Sequence, residues 1–455
     1  MKVMSKKETI VVPKHPTVVV GLGATGLSCV KYLSGTKALS VVDSRINPPG
    51  LAQLESTYPE VDFVGGAFTE ATFAESKQLV VSPGISVRQG CFLEAKKHGV
   101  EIVGDIELFA RAVKKPVIAI TGSNGKSTVT ELIGLMFRKA HVNTGVGGNL
   151  GPPALDLLTS DFDAYVLELS SFQLETTSSL KPSVAILLNI SEDHMDRYES
   201  LEDYANVKAT IFNDAESQVF CRDDPATRAG LRKNKRQVSF GLSTPKEGEY
   251  GLVDKAGVQW LACGNELLIQ KNDLSLAGNH NVLNVLASMA CADCFGLPRQ
   301  STLEAIREFK GLSHRCEIVL EQNGILWIND SKGTNVGATL AAIKGIEQPI
   351  ILIAGGDGKG ADFSPLKEAV KNKVKQIVLI GKDAKKISDA VGEVVPVSFA
   401  TDMQAAVLVA NELAVKGDCV LLSPACASLD MFTDYKHRGN EFSAEVKRIV
   451  GEGNI

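Results

Sequence analysis

Residues 121–128 (TGSNGKST) have the composition of a loop that binds the phosphate groups of a nucleotide. Gly122 and Gly125 allow backbone N–H groups to approach phosphate oxygens closely. Lys126 adds a positive charge, and the hydroxyl of Ser127 can ligate Mg²⁺. The segment therefore predicts a nucleotide phosphate site formed by Gly122, Ser123, Asn124, Gly125, Lys126, Ser127 and Thr128.

The elements around this loop are those that a phosphate site requires. The β-branched run 117–120 predicts a buried strand that ends at the loop, and a helical pattern begins at Lys126. The standard phosphate-loop motif has a glycine five residues before Gly125. This chain has Ile120 at that position, so the sequence predicts a variant of the motif.

Polar side chains follow other predicted strands of the same segment. Glu168 ends the predicted strand 164–168, where nucleotide-binding sheets often present a Mg²⁺-binding acid. Asn149 lies between glycines, which indicates backbone held close to a ligand. His194 belongs to the charged segment 192–198 (EDHMDRY), and we expect it to be a ligand or an orienting residue. Each of these residues also has a purely structural interpretation: Asn149 in an ordinary turn, Glu168 as a cap or a solvated side chain, and His194 in a solvated surface loop.

The first hundred residues have the pattern of a dinucleotide fingerprint. The turn 21–26 (GLGATG) separates a predicted strand, 17–20, from a helix, and Asp43 ends the next strand about 20 residues on. These residues predict an anionic ligand near a helix N-terminus. They do not identify that ligand, because a nicotinamide dinucleotide and UDP fit the pattern equally well. Ser82 follows a later strand, at the edge where α/β sheets bind ligands.

The residues after 311 predict a second doubly wound unit. Its predicted strands include 349–354, 376–380 and 419–422. They alternate with helical segments, which favours a mainly parallel sheet. Lys359 and Ser428 each follow one of these strands, so both are expected at a ligand-binding edge.

Length, net charge and cysteine content limit the class of protein to which this chain can belong. A chain of 455 residues suggests about three domains, which we expect at 1–103, 104–311 and 312–455. A net charge of −5 argues against nucleic-acid binding, and no apolar run reaches the roughly 20 residues of a membrane span. Nine cysteines scattered along the chain favour reduced thiols in a cytoplasmic protein, which we expect to be monomeric.

Motifs spread over the whole chain resemble those of the Mur ligase superfamily, whose members form amide bonds with ATP. They are GLGATGLS (21–28), DSR (43–45), SPG (82–84), GDIELF (104–109), TGSNGKST (121–128), LELSSFQLET (167–176), EDHMDRY (192–198), NDSKGTN (329–335), GGDGK (355–359) and LSPACASLD (422–430). The resemblance is closest to the branch that adds D-glutamate to UDP-N-acetylmuramoyl-L-alanine in peptidoglycan precursor synthesis. It implies an α/β fold with a Rossmann-like N-terminal domain, a central mononucleotide-binding ATPase domain and a Rossmann-like C-terminal domain. The implied cofactors are ATP and Mg²⁺, with two metal ions.

The resemblance also implies roles for individual residues. It places around the UDP substrate Ala24, Thr25, Asp43, Ser44, Arg45, Ser82, Asn149 and His194. It places around ATP, besides the phosphate loop, Asn281, Asn284, Arg315 and Asp330, and around D-glutamate Lys332, Thr334, Lys359, Ser428 and Tyr435. The implied metal ligands are Ser127, Glu168, His194 and Lys208, the last as a carbamate formed with CO₂. The implied catalytic residues are Lys126, Glu168, His194 and Lys208.

Two positions and several alternatives stay open at this point. Spacing alone predicts Lys208 to be a solvated helix lysine, whereas the resemblance implies a carbamate there. Tyr435 stands where the family often has Phe. The alternatives are another Mur-superfamily ligase, a folylpolyglutamate synthase, a nicotinamide-dependent oxidoreductase and a non-catalytic nucleotide-binding regulator. The segment near 311 is a candidate hinge.

Overall fold

Runs of β-branched and aliphatic residues form the strands of three separate sheets. In the run 117–121 every residue is buried, as expected for a parallel strand that is covered by helices on both faces. The structure is a computed structural model that describes residues 12–35, 37–276 and 278–451. Within these residues, hydrophobic clusters cover both faces of each sheet, and one cluster is shared by the N-terminal and central sheets.

The N-terminal sheet is entirely parallel. Its elements are β1 Thr17–Val20, α1 Ala24–Ser34, β2 Leu39–Asp43, α2 Leu51–Thr57, β3 Asp62–Gly65, β4 Gln78–Val81, α3 Gly90–Lys97 and β5 Glu101–Val103. The strand order is β3-β2-β1-β4-β5. The order reverses between β1 and β4, which is where sheets of this kind bind ligands. The loops that follow these two strands carry Gly21 and Ser82.

The central sheet has nine strands. The elements are α4 Asp105–Ala112, β6 Val117–Thr121, α5 Lys126–Lys139, β7 Thr144–Gly148, α6 Ala154–Leu157, β8 Ala164–Glu168, α7 Ser171–Leu174, β9 Val184–Leu187, α8 Leu201–Ala209, β10 Ser217–Cys221, β11 Arg236–Phe240, β12 Tyr250–Lys255, β13 Val258–Cys263, β14 Glu266–Gln270, α9 Asn279–Phe295 and α10 Arg299–Glu308. The order is β14-β13-β12-β11-β10-β9-β6-β8-β7, and only the pairs β12–β13 and β13–β14 are antiparallel. Because β9, β6 and β8 are neighbours, the three loops that follow them meet at one edge.

The C-terminal sheet has six strands. The elements are β15 Glu317–Gln322, β16 Ile325–Asn329, α11 Val336–Gly345, β17 Ile350–Gly355, α12 Leu366–Lys371, β18 Val374–Ile380, α13 Ala384–Val391, β19 Val397–Phe399, α14 Met403–Leu413, β20 Cys419–Leu422 and α15 Tyr435–Val446. The order is β15-β16-β20-β17-β18-β19, and only β15 is antiparallel to its neighbour. The expected α/β fold with three parallel-rich sheets is confirmed.

Short helical turns complete the described chain. They are 3₁₀ turns at Glu70–Phe73, Thr210–Phe212, Pro225–Arg228 and Lys271–Asp273, and a π-helical turn at Lys447–Gly451. No helix in the described residues is both long and apolar enough to cross a membrane. The domain boundaries at 103 and 311 stay predictions.

A buried carboxyl group lies where the N-terminal sheet meets the central one. Asp105 begins α4 and is 1% exposed, and its Oδ2 accepts a hydrogen bond from Gln173 Nε2 at 3.1 Å. Its Oδ1 has no hydrogen-bond partner among the described residues. Burial raises the pKa of this carboxyl group to about 6.

This carboxyl group predicts a pH-dependent stability. The pKa of Asp105 falls to about 4 on unfolding, so the folded state holds the proton more tightly and stability declines as the pH rises from about 4 to about 6. Asp105→Asn removes this loss, which amounts to about 3 kcal/mol. We expect the urea midpoint of Asp105→Asn to rise relative to that of wild type as the pH increases from 4 to 7. The exposed control Asp161→Asn should track wild type, and parallel profiles for Asp105→Asn would contradict the assignment.

Candidate functional site

The phosphate loop between β6 and α5 adopts a conformation that requires glycine. Gly122 and Gly125 have φ values of +152° and +84°, a region that L side chains rarely adopt. A Cβ atom on Gly125 would lie 2.3 Å from Asn284 Oδ1. The loop and the helix α9, which carries Asn284, are therefore in direct contact, and the backbone N–H groups at the start of α5 are left available to an anion.

Two residues that the sequence analysis did not assign hold the loop in place. Asn189, just after β9, accepts from the Asn124 N–H at 2.8 Å and donates its Nδ2 to the Asn124 carbonyl at 3.0 Å. Ser123 Oγ donates to the Ser191 carbonyl and accepts from the Ser191 N–H, both at 2.9 Å. The sequence offered one signal for Asn189, because it is a polar residue just after β9, the strand next to β6.

Lys126 lies over its own loop. Its Nζ donates to the carbonyls of Gly122 and Ser123, both at 2.8 Å. Burial lowers the pKa of the ammonium group, and the charges of Glu168 and Asp193 partly oppose this shift. The amine thus sits among carbonyl groups, with acidic residues near enough to favour its charged form.

Glu168 presents one engaged and one unengaged carboxylate oxygen. It is 3% exposed, and its Oε1 accepts from Asn149 Nδ2 at 2.7 Å. Its Oε2 is buried and has no hydrogen-bond partner in the described part of the chain. Gly148 allows the close approach, since a Cβ there would lie 2.4 Å from the Glu168 carbonyl oxygen. A buried carboxylate oxygen without a donor fits a hard cation such as Mg²⁺.

Lys208 is buried, in contrast to the solvated lysine that its spacing predicted. It lies in the last turn of α8 and is 1% exposed. Its Nζ donates to the Gly122 carbonyl at 3.0 Å, is 3.4 Å from Thr121 Oγ1, and sits 4.7 Å from the centre of the Tyr204 ring. Burial, and then the charge of Lys126, lowers the pKa of Lys208 well below its usual value. The amine is therefore disposed to be neutral, which a lysine in solution is not.

His194 lies in the loop after β9 with a left-handed backbone, at a φ of +57°. Its ring meets the ring of Phe172 edge-on at 4.8 Å, and its Nε2 is 3.8 Å from Asp193 Oδ2. Burial lowers the pKa of the imidazole, while Asp193 and Asp196 oppose the shift. The described residues contain no group of three or more His, Cys, Asp and Glu side chains arranged to hold a metal ion. The four implied metal ligands thus stay a prediction.

A cleft of about 340 Å³ opens between the phosphate loop, α9 and the start of the C-terminal sheet. The four residues predicted for the nucleotide outside the phosphate loop all line it: Asn281, Asn284, Arg315 and Asp330. Arg315 reaches the loop directly, because its Nη2 donates to Ser127 Oγ at 2.7 Å. Burial raises the pKa of Asp330 to about 6. Lining residues that the sequence analysis missed include Asp223, Asp224 and His280.

The predicted UDP-substrate residues of the N-terminal sheet gather at the switch between β1 and β4. Asp43 Oδ2 accepts from the Leu22 N–H and from Arg45 Nη2, both at 2.8 Å. Burial opposes ionisation of Asp43, but these hydrogen bonds outweigh it and hold its pKa below the usual value. Ser82 Oγ donates to the Gly21 carbonyl at 3.1 Å. Ala24 and Thr25 begin α1, and Ser44 is exposed between Asp43 and Arg45.

Four of the predicted D-glutamate residues lie in loops after the neighbouring strands β16, β17 and β20, and the fifth, Tyr435, begins α15. Lys332 Nζ is 3.9 Å from the centre of the Tyr435 ring, and burial, followed by the charge of Arg315, lowers its pKa to about 8. Thr334 donates its N–H to the Lys332 carbonyl at 2.8 Å. Lys359 and Ser428 flank a short bridge between residues 357 and 427. Ser428 is buried, whereas Lys359 is exposed.

The sequence matches three domain families in succession. Residues 15–104 match the MurD-like N-terminal domain of Mur ligases, and residues 120–292 match the Mur ligase middle domain. Residues 314–426 match the glutamate ligase domain of Mur ligases. These matches include the phosphate loop, Glu168, His194, Lys208 and most of the C-terminal sheet.

Relatives with established names align over nearly the whole chain. The UDP-N-acetylmuramoylalanine–D-glutamate ligase of Marinobacter nauticus is 49% identical over 445 residues, which cover 97% of this chain and 100% of the relative. The protein of the same name from Nitrosococcus oceani is 48% identical over 438 residues, covering 95% and 97%. The fold is similar to a pseudomurein peptide ligase type C from Methanothermus fervidus, with a TM-score of 0.61, 18% identity and coverage of 95% and 100%. The chain belongs to the Mur ligase family.

Proposed function

We propose that this chain is an ATP-dependent ligase that joins D-glutamate to UDP-N-acetylmuramoyl-L-alanine during peptidoglycan precursor synthesis. The observation that carries the proposal is the convergence of three loops at one sheet edge: the phosphate loop after β6, Glu168 at the end of β8, and the segment 189–198 after β9. The nucleotide cleft opens beside them. Relatives at 48% and 49% identity are named for this activity.

In the first step, a carboxylate oxygen of the UDP substrate attacks the γ-phosphorus of ATP. The bond between that phosphorus and the β-phosphate oxygen breaks, which yields an acyl phosphate and ADP. Both reactants are anionic, so their approach requires fixed positive charge. Lys126 supplies it from the phosphate loop, and Arg315, which donates to Ser127 Oγ, supplies it from the segment just before β15.

In the second step, the neutral amine of D-glutamate attacks the activated carbonyl carbon. A tetrahedral intermediate forms, the carbon–oxygen bond to phosphate breaks, and the amine loses its proton as the amide forms. Water must be kept away from the acyl phosphate. The cleft lies between the central and C-terminal sheets, and Gly311 has a φ of +88° in the connection between them. We therefore propose closure about this connection once the substrates have bound.

Glu168 is the residue best suited to hold Mg²⁺, because its buried Oε2 has no protein donor in the described residues. Ser127, His194 and a carbamate on Lys208 would complete the ligand set. When bound, Mg²⁺ neutralises phosphate charge and favours attack at the γ-phosphorus. Two such ions, a monomeric state and a cytoplasmic location belong to the same proposal, and nine free cysteines support the location.

The nicotinamide alternative fits the N-terminal sheet less well than UDP-sugar binding. In a dinucleotide site the acid after β2 accepts the ribose hydroxyls. Here Arg45 donates to both oxygens of Asp43, with Nε at 2.8 Å from Oδ1 and Nη2 at 2.8 Å from Oδ2. A hydride-transfer reaction would also leave the phosphate loop and Glu168 without a role.

Phosphate release from ATP tests the proposal directly. Purified protein should release phosphate only when UDP-N-acetylmuramoyl-L-alanine and D-glutamate are both present, and L-glutamate or D-aspartate should not replace D-glutamate. Preference for another amino acid would move the chain to a different Mur ligase. Release of phosphate without any amino acid acceptor would reduce it to a nucleotide hydrolase.

Lys359 is predicted to bind one carboxylate of D-glutamate. Its exposed side chain follows β17, where Gly355 and Gly356 bring the backbone close to neighbouring loops. Lys359→Ala should raise the KM for D-glutamate roughly tenfold, since a hydrogen bond to a charged group contributes about 1.5 kcal/mol or more. The KM for the UDP substrate should stay unchanged in steady-state assays that vary each substrate in turn.

The neighbouring lysine provides a matched control for this prediction. Lys382 pairs with Asp357 at 3.0 Å beside the same loop, so Lys382→Ala alters the local charge without removing Lys359. It should leave the KM for D-glutamate within about twofold, as expected for an exposed ion pair. A Lys359→Ala enzyme weakened only toward the UDP substrate would contradict the assignment of Lys359 to D-glutamate.

A further inference from the structure

Arg197 connects the central sheet to the N-terminal sheet. It lies three residues after His194, and its side chain is only 14% exposed. Its Nη1 donates to the Pro83 carbonyl at 3.1 Å and its Nη2 donates to the Ile85 carbonyl at 3.3 Å. Both carbonyls belong to the loop that follows β4, so one guanidinium group fixes that loop at two points.

The loop held in this way forms one wall of the proposed UDP site. Ser82 Oγ donates to the carbonyl of Gly21, in the glycine turn after β1, at 3.1 Å. A Cβ atom on Gly21 would lie 2.8 Å from Ile85 Cδ1, so the loop packs tightly against that turn. A displacement of residues 82–85 would therefore alter the shape of the site.

The other side of Arg197 faces the reacting centre. Its guanidinium carbon lies 3.7 Å from the centre of the Phe172 ring, and the same ring meets His194 edge-on at 4.8 Å. The Arg197 N–H also donates to the His194 carbonyl at 2.9 Å. Since His194 has a left-handed backbone, it depends on such contacts to keep its place.

The direct hydrogen bonds of Arg197 go to carbonyl groups and not to an acid. Its nearest carboxylate, Glu175, lies 3.9 Å away and is held by Arg88 Nε at 2.7 Å. Arg88 also pairs with Asp203. Two arginines therefore span the same boundary with different partners: Arg88 contacts two carboxylates and the Tyr198 ring, whereas Arg197 contacts two carbonyl groups and the Phe172 ring.

We propose that Arg197 is a positioning residue that fixes residues 82–85 and His194 relative to each other. The UDP substrate is then bound with its carboxylate at the reacting centre. The inference rests on the proposed function for the identity of the substrate. It predicts a defect in both binding and turnover when the side chain is shortened. Loss of an ordinary surface arginine produces neither.

The test uses full-length Arg197→Ala and Arg197→Lys. We expect Arg197→Ala to raise the KM for the UDP substrate roughly tenfold and to lower kcat roughly tenfold, because misplacement by about 1 Å can cost about 100-fold in rate. The KM for ATP should stay within twofold. Arg197→Lys should recover little, because lysine keeps the charge but loses the planar stacking and the second fixed donor.

Two further variants separate positioning from general stability. Arg88→Ala should lower the thermal midpoint but leave the kinetic constants within about twofold, because Arg88 contacts Glu175, Asp203 and Tyr198 rather than the carbonyls of Pro83, Ile85 or His194. Phe172→Leu keeps the bonds to Pro83 and Ile85 but removes the ring, so it should lower kcat and leave the KM for the UDP substrate near wild type. An Arg88→Ala enzyme with the same defect as Arg197→Ala would overturn the inference.

Binding of plain UDP, measured by calorimetry, keeps this inference distinct from the proposed function. If wild-type protein binds UDP but fails to ligate D-glutamate, the proposed function is overturned, while the inference about Arg197 is not. If Arg197→Ala then binds UDP as tightly as wild type, the inference is also overturned, whereas weaker binding supports it. For an active wild type, an Arg197→Ala variant with an unchanged kcat/KM for the UDP substrate overturns the inference.

Discussion

Lys126→Ala should reduce ATP-dependent ligation by about 100-fold or more while the protein remains folded. The ammonium group sits at the phosphate loop, where it donates to the carbonyls of Gly122 and Ser123, and the charges of Glu168 and Asp193 favour its charged form. As the carboxylate of the substrate approaches the γ-phosphate, this preorganised charge stabilises the transition state more than the ground state. The loss should therefore appear in kcat.

A lysine at the other end of the same helix is the control for this variant. Lys139 pairs with Glu308 near the end of α5, far along the helix from the loop. Lys139→Ala should change kcat by less than about twofold, since exposed pairs contribute little. Thermal midpoints of both variants check folding. Near-normal ligation by folded Lys126→Ala would contradict the prediction that this loop binds the nucleotide.

The phosphate loop and its sheet could be predicted because the information is local. A buried β-branched run, two glycines and a lysine at a helix start define the site within about ten residues. The parallel topology then places the residues after β8 and β9 beside the loop, because the carboxyl ends of parallel strands share an edge. Glu168 and the segment 192–198 were predicted after strands of this sheet for that reason.

Lys208 could not be predicted from local pattern, because its burial is a tertiary property. The helix α8 carries polar residues on several faces, so its sequence does not mark the side that packs beneath the loop. Only the fold brings Lys208 to the Gly122 carbonyl, 86 positions away. The resemblance to the Mur ligases supplied its role, which no argument from spacing provided.

Contacts between sheets were likewise beyond local reasoning. Arg315 reaches Ser127 across 188 positions, and the roles of Asn189 and Arg197 depend on which loops the fold brings next to them. The distance between Lys359 and Ser428 is set by the bridge between residues 357 and 427, which joins two loops of irregular structure. Sequence patterns predict strands and their order of appearance better than the loops that meet beyond them.

Lys208→Ala should reduce ligation by about 1,000-fold, the largest effect we expect from a single side chain. The amine of Lys208 is 1% exposed, and burial together with Lys126 lowers its pKa well below the usual value. A neutral amine can attack CO₂: the nitrogen lone pair forms a bond to carbon, a proton leaves, and a carbamate with one negative charge results. In the proposed metal site, this anion would serve as a second carboxylate-like ligand besides Glu168.

Three measurements distinguish a carbamate from a structural lysine at this position. A small carboxylate such as formate should restore part of the activity of Lys208→Ala, because it can occupy the space of the missing anion. Lys208→Arg places a permanent positive charge at this position and cannot form a carbamate, so it should be as inactive as the alanine variant if it folds. Wild-type protein equilibrated with ¹³C-labelled CO₂ should show a carbamate signal that Lys208→Ala lacks. Full activity in folded Lys208→Arg would show that positive charge is what the site needs, and the carbamate would then have no place in the mechanism.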